Sequence, residues 1–126
     1  MITLRTALGA MMLLAGAPAA AQDTGPAMEL VMVEQAGCQW CARWNAEIGP
    51  IYPKTPEAAL APLRRIDLRD PVPDDLTLAR PVVFTPTFVL IAAGTEVNRI
   101  EGYPGPDFFW GLLDSMFADA GSEVIN

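Results

Sequence analysis

The chain has 126 residues, a formal net charge of −7, two cysteines and no histidine. This length suits a single compact domain, and an acidic chain without a basic patch is a poor candidate for binding nucleic acid. A zinc site needs about four ligands, so two cysteines without a histidine exclude a conventional zinc site within one chain.

The N-terminal 21 residues are predicted to be a cleavable secretory signal peptide. Arg5 supplies the positive charge, residues 7–15 are apolar, and Ala19-Ala20-Ala21 gives the small-residue cleavage pattern. The apolar stretch is short for a membrane span, which needs about twenty residues, and an uncleaved anchor is the alternative. Export would place the mature chain in a bacterial periplasm, where disulfides can persist.

The rest of the chain divides into three predicted parts. Residues 22–27, which include Gly25-Pro26, are predicted to form a flexible arm. Residues 28–120 are predicted to form one domain, and residues 121–126 a C-terminal tail.

The first predicted element of the domain is a strand over 29–34, whose continuous apolar centre indicates burial on both faces. A helix follows over 38–48 and ends at Gly49-Pro50. Four prolines exclude a single helix over 50–62, which is predicted to be a loop with a short helical turn.

The second half of the domain begins with a strand predicted over 63–68. Proline and two acidic residues at Pro73-Asp74-Asp75 then predict the start of a short helix, which ends before Pro81. The remaining elements are a strand over 88–91, a hairpin turn at 93–95, a strand over 96–101 and a helix from Pro106 to Gly121. The predicted order is β-α-β-α-β-β-α, an α/β class with a central mixed sheet.

Both cysteines lie in Cys38-Gln39-Trp40-Cys41, between a buried strand and a helix. This layout is typical of a dithiol redox site. The first turn of a helix offers unpaired N–H groups and the positive end of the helix dipole, which favour a thiolate over a thiol. Cys38 is therefore predicted to be the nucleophile, and Cys41, on the same helical face, the residue that resolves a mixed disulfide.

Other interpretations of this motif are weaker. A structural disulfide across two intervening residues would constrain the unfolded chain little. Covalent haem attachment needs a histidine after the second cysteine, where this chain has Ala42. No cofactor and no metal are expected.

Pro86 precedes a predicted central strand, where a proline cannot give a ladder hydrogen bond. A cis peptide bond between Thr85 and Pro86 would turn the chain sharply and expose the backbone of Thr85 to an extended substrate segment. An ordinary trans proline at a strand entry is the alternative.

Cys38-Gln39-Trp40-Cys41, Thr85-Pro86-Thr87-Phe88 and Gly102-Tyr103, in this order, resemble the thioredoxin superfamily. The resemblance covers residues 28–118 and implies a thioredoxin-like three-layer sandwich that lacks the first strand and helix of full-length thioredoxin. It also implies that Cys38 attacks, that Cys41 resolves, and that Pro86 and the backbone near Thr85 and Gly102 line a peptide groove. Substrate specificity is expected at Trp40, Thr85 and the Gly102-Tyr103 loop.

The stretches 38–44, 84–88 and 101–110 further resemble SoxS-type proteins, which are small exported thioredoxin-like proteins of bacterial sulfur-oxidation (Sox) systems. That resemblance implies reduction of a cysteine on a sulfur-carrier protein, with electrons supplied by a membrane thiol transporter. The protein is expected to act as a monomer.

The chain departs from ordinary thioredoxins at two positions near the motif. Trp40 replaces the usual proline, and Met32 stands where many thioredoxins bury an acid. Glu34 lies two residues on and faces the same side of a regular strand, so it is either a proton acceptor for Cys41 or a solvated strand-end charge, and the second is favoured. Arg43 either supports the Cys38 thiolate or is solvated surface. Trp44 is predicted to pack in the core.

Three functions are compatible with these sequence features. The first is a periplasmic thiol–disulfide reductase that acts on a protein partner. The second uses the same dithiol as a disulfide-donating oxidase or as a cytochrome-maturation thiol reductase, and the reduction potential decides the direction. The third is a module that docks a partner without turnover, which two intact cysteines make less favoured.

Overall fold

The computed structural model describes residues 15–18 and 27–122. Most of the predicted signal peptide, residues 22–26 of the predicted arm and residues 123–126 of the predicted tail lie outside these ranges. No helix in the described ranges is long and apolar enough to cross a membrane.

A four-stranded mixed sheet forms the centre of the domain. Its strands are β1 at Met28–Glu34, β2 at Leu63–Asp67, β3 at Thr87–Ala92 and β4 at Thr95–Glu101. They lie in the order β2-β1-β3-β4, with β1 parallel to β2 and both remaining pairs antiparallel. The predicted α/β class with a central mixed sheet is confirmed.

The helices of the described residues are α1 at Gln39–Glu47, α2 at Pro56–Leu60 and α3 at Pro106–Asp119, with a 3₁₀ turn at Tyr52–Lys54. α2 and α3 each begin with a proline, which suits this position because its missing N–H would have no partner there. Thr55 caps α2, since its side chain accepts a hydrogen bond from the N–H of Ala58 at 3.2 Å. The predicted first and last helices are confirmed.

Alternate residues of β1 contribute to two separate cores. Leu30 and Met32 are fully buried against side chains of α1 and α3, whereas Val31 and Val33 are buried on the opposite face of the sheet. Because successive side chains of a strand point to opposite faces, a continuous apolar run is what a strand covered on both sides requires.

The second face of the sheet is covered by a segment without a helix, and the short helix predicted from Pro73 is wrong. The chain between β2 and β3 is irregular apart from an isolated bridge between Thr77 and Thr95. Leu76, Leu78 and Val82 nevertheless pack against the second core. Leu76 and Leu78 are two residues apart, a spacing that places them on one side of an extended chain and on different sides of a helix. The three layers are therefore the α1–α3 pair, the sheet and this irregular segment.

Candidate redox site

The two cysteines are joined by a disulfide across the first turn of α1, with their Cα atoms 5.2 Å apart. Cys38 is the N-cap residue of the helix and is half-buried, whereas Cys41 is only 3% exposed. The N–H of Cys41 donates a hydrogen bond to Sγ of Cys38 at 3.1 Å. The outer sulfur is therefore the more accessible one, and it lies where helix N–H groups stabilise negative charge.

The strand register brings three chain segments to the same end of the sheet. Val33 of β1 lies opposite Thr87 of β3, and Thr87 lies opposite Glu101 of β4. The segments that follow β1, precede β3 and follow β4 therefore meet at this end. In that order, they carry Cys38, Thr85-Pro86 and Gly102.

Hydrogen bonds hold these segments together. The peptide bond between Thr85 and Pro86 is cis, and the ring of Pro86 is buried. The carbonyl oxygen of Pro86 accepts a hydrogen bond from the N–H of Gly102 at 2.7 Å. Gln35, in the loop before Cys38, donates from Nε2 to Oγ1 of Thr85 at 2.9 Å. Gly102 has a φ of 91°, which a glycine adopts without steric cost.

Trp40 lies at the surface beside the disulfide and is 47% exposed. The guanidinium of Arg43 lies over its ring, 5.7 Å from the centroid, and the Nε of Arg43 donates to Glu47 at 2.8 Å. The hydrogen bond from Arg43 lowers the pKa of Glu47, and a second hydrogen bond from the hydroxyl of Tyr103 lowers it further. The charge of Arg43 is thus engaged by Glu47, and its guanidinium helps to fix the position of Trp40.

Tyr103 does not display its ring at the surface, because the residue is only 7% exposed. Its ring packs against Phe109, and its hydroxyl donates to Glu47. Burial, together with this hydrogen bond, raises the pKa of Tyr103 above its ordinary value. The side chain of Tyr103 thus connects α1 to the turn after β4, and the expectation that Tyr103 contacts substrate stays a prediction.

A groove of about 520 Å³ borders the disulfide, and its lining residues include Glu34, Asn45 and Asp67. Glu34 accepts a hydrogen bond from Arg65 at 2.7 Å, and its side chain is 29% exposed. Hydrogen bonds from the side chain and backbone of Arg69 lower the pKa of Asp67 to about 2. Both carboxylates of the groove therefore have an arginine partner.

Arg65 also connects the groove to the core. It donates to Asn45 at 2.9 Å, and its guanidinium lies over the ring of Trp44, 5.6 Å from the centroid. Trp44 is fully buried, so the prediction that it belongs to the core is confirmed.

Three residues at this end of the molecule were not predicted from the sequence. Gln35 contacts Thr85 across fifty positions of the chain, and no local pattern signals such a pair. Val83 and Phe84 directly precede Thr85 and are 67% and 60% exposed. The sequence did indicate that these two residues could be exposed. They are large and apolar, yet they lie in a loop between Pro81 and Pro86, outside every predicted helix and strand.

No family model matches the chain, and no curated protein matches it. Among solved structures, the chain is similar to the periplasmic thioredoxin SoxS from Paracoccus pantotrophus, determined in its reduced form. The two are 56% identical with a TM-score of 0.72, and the match covers 74% of this chain and 98% of that one.

Two further structures share the fold at low identity. The Malassezia sympodialis thioredoxin Mala s 13 is 16% identical with a TM-score of 0.50, over 73% of this chain and 76% of that one. The Fasciola hepatica thioredoxin is 17% identical with a TM-score of 0.51, over 72% of this chain and 82% of that one. Together with the disulfide at the start of α1, these similarities identify the chain as a thiol–disulfide oxidoreductase that belongs to the thioredoxin superfamily and, within it, to the SoxS-type proteins.

Proposed function

We propose that the protein is a periplasmic reductase that transfers two electrons from the Cys38/Cys41 dithiol to a disulfide on a protein partner. The thiolate of Cys38 attacks one sulfur of the partner disulfide, forms a mixed disulfide and releases the other partner sulfur as a thiolate, which takes up a proton. Cys41, once deprotonated, attacks the sulfur of Cys38. The partner then leaves with both cysteines reduced, and the Cys38–Cys41 disulfide remains.

The observation that carries this proposal is the asymmetry of the disulfide. Cys38 is the accessible member and accepts the N–H of Cys41, whereas Cys41 is buried one turn further along α1. An attacking thiolate needs both access and stabilisation of its charge, and a resolving thiol needs proximity to the first sulfur rather than access.

The same end of the sheet supplies the proposed substrate-binding residues. Thr85, Pro86 and Gly102, which lie in the segments that meet at this end of the sheet, are proposed to bind an extended segment of the partner, which would pair with the backbone of Thr85. Trp40 contributes an exposed aromatic surface on the helix side. Tyr103 holds the turn at Gly102 in position, because its hydroxyl donates a hydrogen bond to Glu47 of α1.

A similar solved structure and the N-terminal sequence pattern support the proposed location, and the resemblance to SoxS-type proteins supports the proposed partner. The similar Paracoccus pantotrophus protein is a periplasmic thioredoxin, and the first 21 residues of this chain have the pattern of a signal peptide. The physiological partner is a Sox sulfur-carrier protein whose cysteine is held in a disulfide, and a membrane thiol transporter returns the disulfide of the monomeric reductase to a dithiol.

The experiment that tests this function is a trap. A Cys41→Ser variant cannot resolve the mixed disulfide, so it is expected to retain the partner covalently through Cys38. The reduced variant is mixed with periplasmic extract, and the adduct is identified by mass spectrometry without reducing agent. The matched control is Cys38→Ser, which keeps one cysteine but lacks the accessible one. Equal trapping by both variants, or no thiol-sensitive adduct with either, would contradict the assignment.

A disulfide-donating oxidase uses the same residues in reverse, and only the reduction potential separates the two directions. A difference of about 30 mV changes the exchange equilibrium about tenfold. Equilibration of the protein with defined ratios of reduced and oxidised glutathione measures this potential. A value in the range of strong periplasmic oxidants would exclude the reductase direction.

A further inference from the structure

A continuous series of side-chain contacts joins the core to the exposed tryptophan of the redox motif. Tyr103 is only 7% exposed, and its ring packs against that of Phe109. Its hydroxyl donates a hydrogen bond to Oε2 of Glu47. Oε1 of the same carboxylate accepts a hydrogen bond from Nε of Arg43 at 2.8 Å. The guanidinium of Arg43 in turn lies over the ring of Trp40, 5.7 Å from the centroid.

Glu47 is the residue of this series that connects two parts of the fold. One of its carboxylate oxygens binds a donor on α1, and the other binds a donor on the turn after β4. Both hydrogen bonds lower the pKa of Glu47, so its carboxylate is charged at neutral pH. The side chains of Arg43 and Glu47 are 51% and 31% exposed.

An exposed ion pair between residues four apart on a helix usually contributes little, because both side chains stay mobile. Here the hydroxyl of a buried tyrosine restricts one member of the pair. Glu47 therefore has a fixed carboxylate, and this carboxylate restricts the guanidinium of Arg43.

Trp40 is the side chain that gains from this arrangement. It lies between the two cysteines in the sequence and is 47% exposed. A groove of about 250 Å³ is lined by Gln39, Trp40 and Arg43. A partner that covers an exposed, freely rotating side chain has to order it, and this ordering costs conformational entropy. The guanidinium over the indole ring lowers that cost because it orders Trp40 in advance.

We propose that Glu47 is a positioning residue for the redox site, and that it holds Arg43 over Trp40 before a polypeptide partner binds. The inference rests on the proposed reductase function and adds the class of substrate for which this arrangement matters. That class is a disulfide carried by a polypeptide segment that covers Trp40. A small disulfide that reaches Cys38 without covering Trp40 does not depend on Glu47.

The test compares two uncharged disulfides of different size. One is bis(2-hydroxyethyl) disulfide, and the other is a short uncharged peptide dimerised through a single cysteine. In either case one reduced protein molecule converts one disulfide to two thiols and becomes oxidised. Samples are quenched with acid and alkylated, and mass spectrometry then gives the oxidised fraction of the protein over time. The second-order rate constant is measured for each disulfide.

Glu47→Gln is expected to lower the rate constant for the peptide disulfide about two- to tenfold, as the cost of ordering one side chain predicts. Its rate constant for the small disulfide should stay at the wild-type value. Arg43→Met should have the same two effects, and it keeps the test available if Glu47→Gln fails to fold. The matched control is Glu57→Gln, which removes the same charge from the first turn of α2 and should keep both wild-type rate constants. Thermal unfolding checks that each variant folds.

A double-mutant cycle tests whether Glu47 acts through Trp40. In the Trp40→Ala background, Glu47→Gln should cause no further loss with the peptide disulfide, because the side chain that it positions is absent. A role confined to joining α1 to the turn after β4 would not produce this dependence on Trp40.

The two proposals fail in different ways. If the reduced wild type reduces neither disulfide, the reductase function itself is wrong. If it reduces both, the reductase function stands, and the positioning role is wrong under either of two results. One is that Glu47→Gln leaves the peptide rate constant unchanged or lowers both rate constants equally, and the other is that it lowers the peptide rate constant to the same extent in the Trp40→Ala background.

Discussion

At the scale of single residues, the sulfur of Cys38 occupies the position that a hydroxyl or carboxylate oxygen usually holds at a helix start. An N-cap side chain accepts an N–H of the first turn, and here Sγ of Cys38 accepts that of Cys41. The same residue is thus both the cap of α1 and the proposed nucleophile. Reduction leaves an acceptor in place whose negative charge the helix start favours.

Glu34 is the residue whose role the sequence left open, and its ion pair with Arg65 supports the interpretation as a strand-end charge. We predict that Glu34→Gln lowers kcat/KM by less than about tenfold, whereas loss of a general base typically costs about 10²–10⁴-fold. The measurement is the rate of peptide disulfide reduction between pH 5 and pH 9. Asp67→Asn, which changes the other carboxylate of the groove, is the matched control. A hundredfold loss confined to Glu34→Gln, with an altered pH profile, would identify Glu34 as the proton acceptor.

The roles of single residues could be predicted from the sequence where the residue type allows few alternatives. Two cysteines at this spacing before a helix have few other uses, and Trp44 was predicted to be buried because aromatic residues spaced along a helix usually pack inward. The sequence could not predict Gln35 or the pairing of Arg65 with Glu34, because these contacts join residues fifty and thirty-one positions apart. Such pairs depend on the strand register, which a single sequence does not specify.

At the scale of elements, the strands were predictable from the sequence, whereas the irregular segment that covers the second face of the sheet was not. Continuous apolar runs predicted β1 and β3 because both strands are buried on both faces. Proline and acidic residues after β2 are signals for a helix start, but they also occur in extended segments. The residues that follow, Leu76 and Leu78, alternate as an extended chain does, and this spacing outweighs the start signal.

The ion pair between Glu96 and Arg99 allows a prediction with a defined dependence on pH. We expect Arg99→Met to lower the free energy of unfolding by about 3–5 kcal/mol at pH 7, because it leaves a buried carboxylate without its partner. Burial alone would raise the pKa of Glu96, but hydrogen bonds from Arg99 and from the N–H of Ala79 bring it below its ordinary value of 4.5. Wild-type stability from this group is therefore present above that value and is lost as the pH falls through the lowered pKa.

In Arg99→Met the sign reverses, because burial then dominates and raises the pKa of Glu96. The folded variant takes up a proton more readily than the unfolded chain, so it gains stability as the pH falls, and the gap to the wild type narrows between pH 7 and pH 4. Urea unfolding at several pH values measures the gap. The control is Arg99→Met combined with Glu96→Gln, whose gap to the wild type should change less with pH. A gap for Arg99→Met that is the same at pH 7 and pH 4 would contradict this account.

At the scale of the whole molecule, the site exists because the sheet is mixed. β1 and β4 end, and β3 begins, at the same end of the sheet, so three loops distant in sequence meet at the end that carries the disulfide. The order of the three sequence markers predicted this assembly through family resemblance, since no periodicity specifies which strands are neighbours.

The two tryptophans of α1 differ in their environment, since Trp44 lies in the core and Trp40 is exposed at the redox site. Trp44 is fully buried and packs against Tyr52, Phe88 and Phe109, with ring centroids 5.2–6.3 Å away. We predict that Trp44→Ala lowers the free energy of unfolding by about 3–5 kcal/mol, because it opens a cavity between the sheet, α1 and α3. Trp40→Ala is the matched control on the same helix, and loss of its contact with Arg43 should cost less than about 1 kcal/mol. Urea unfolding of the oxidised proteins measures both. Equal destabilisation by the two substitutions would show that Trp40 is part of the core and not an exposed surface of the redox site.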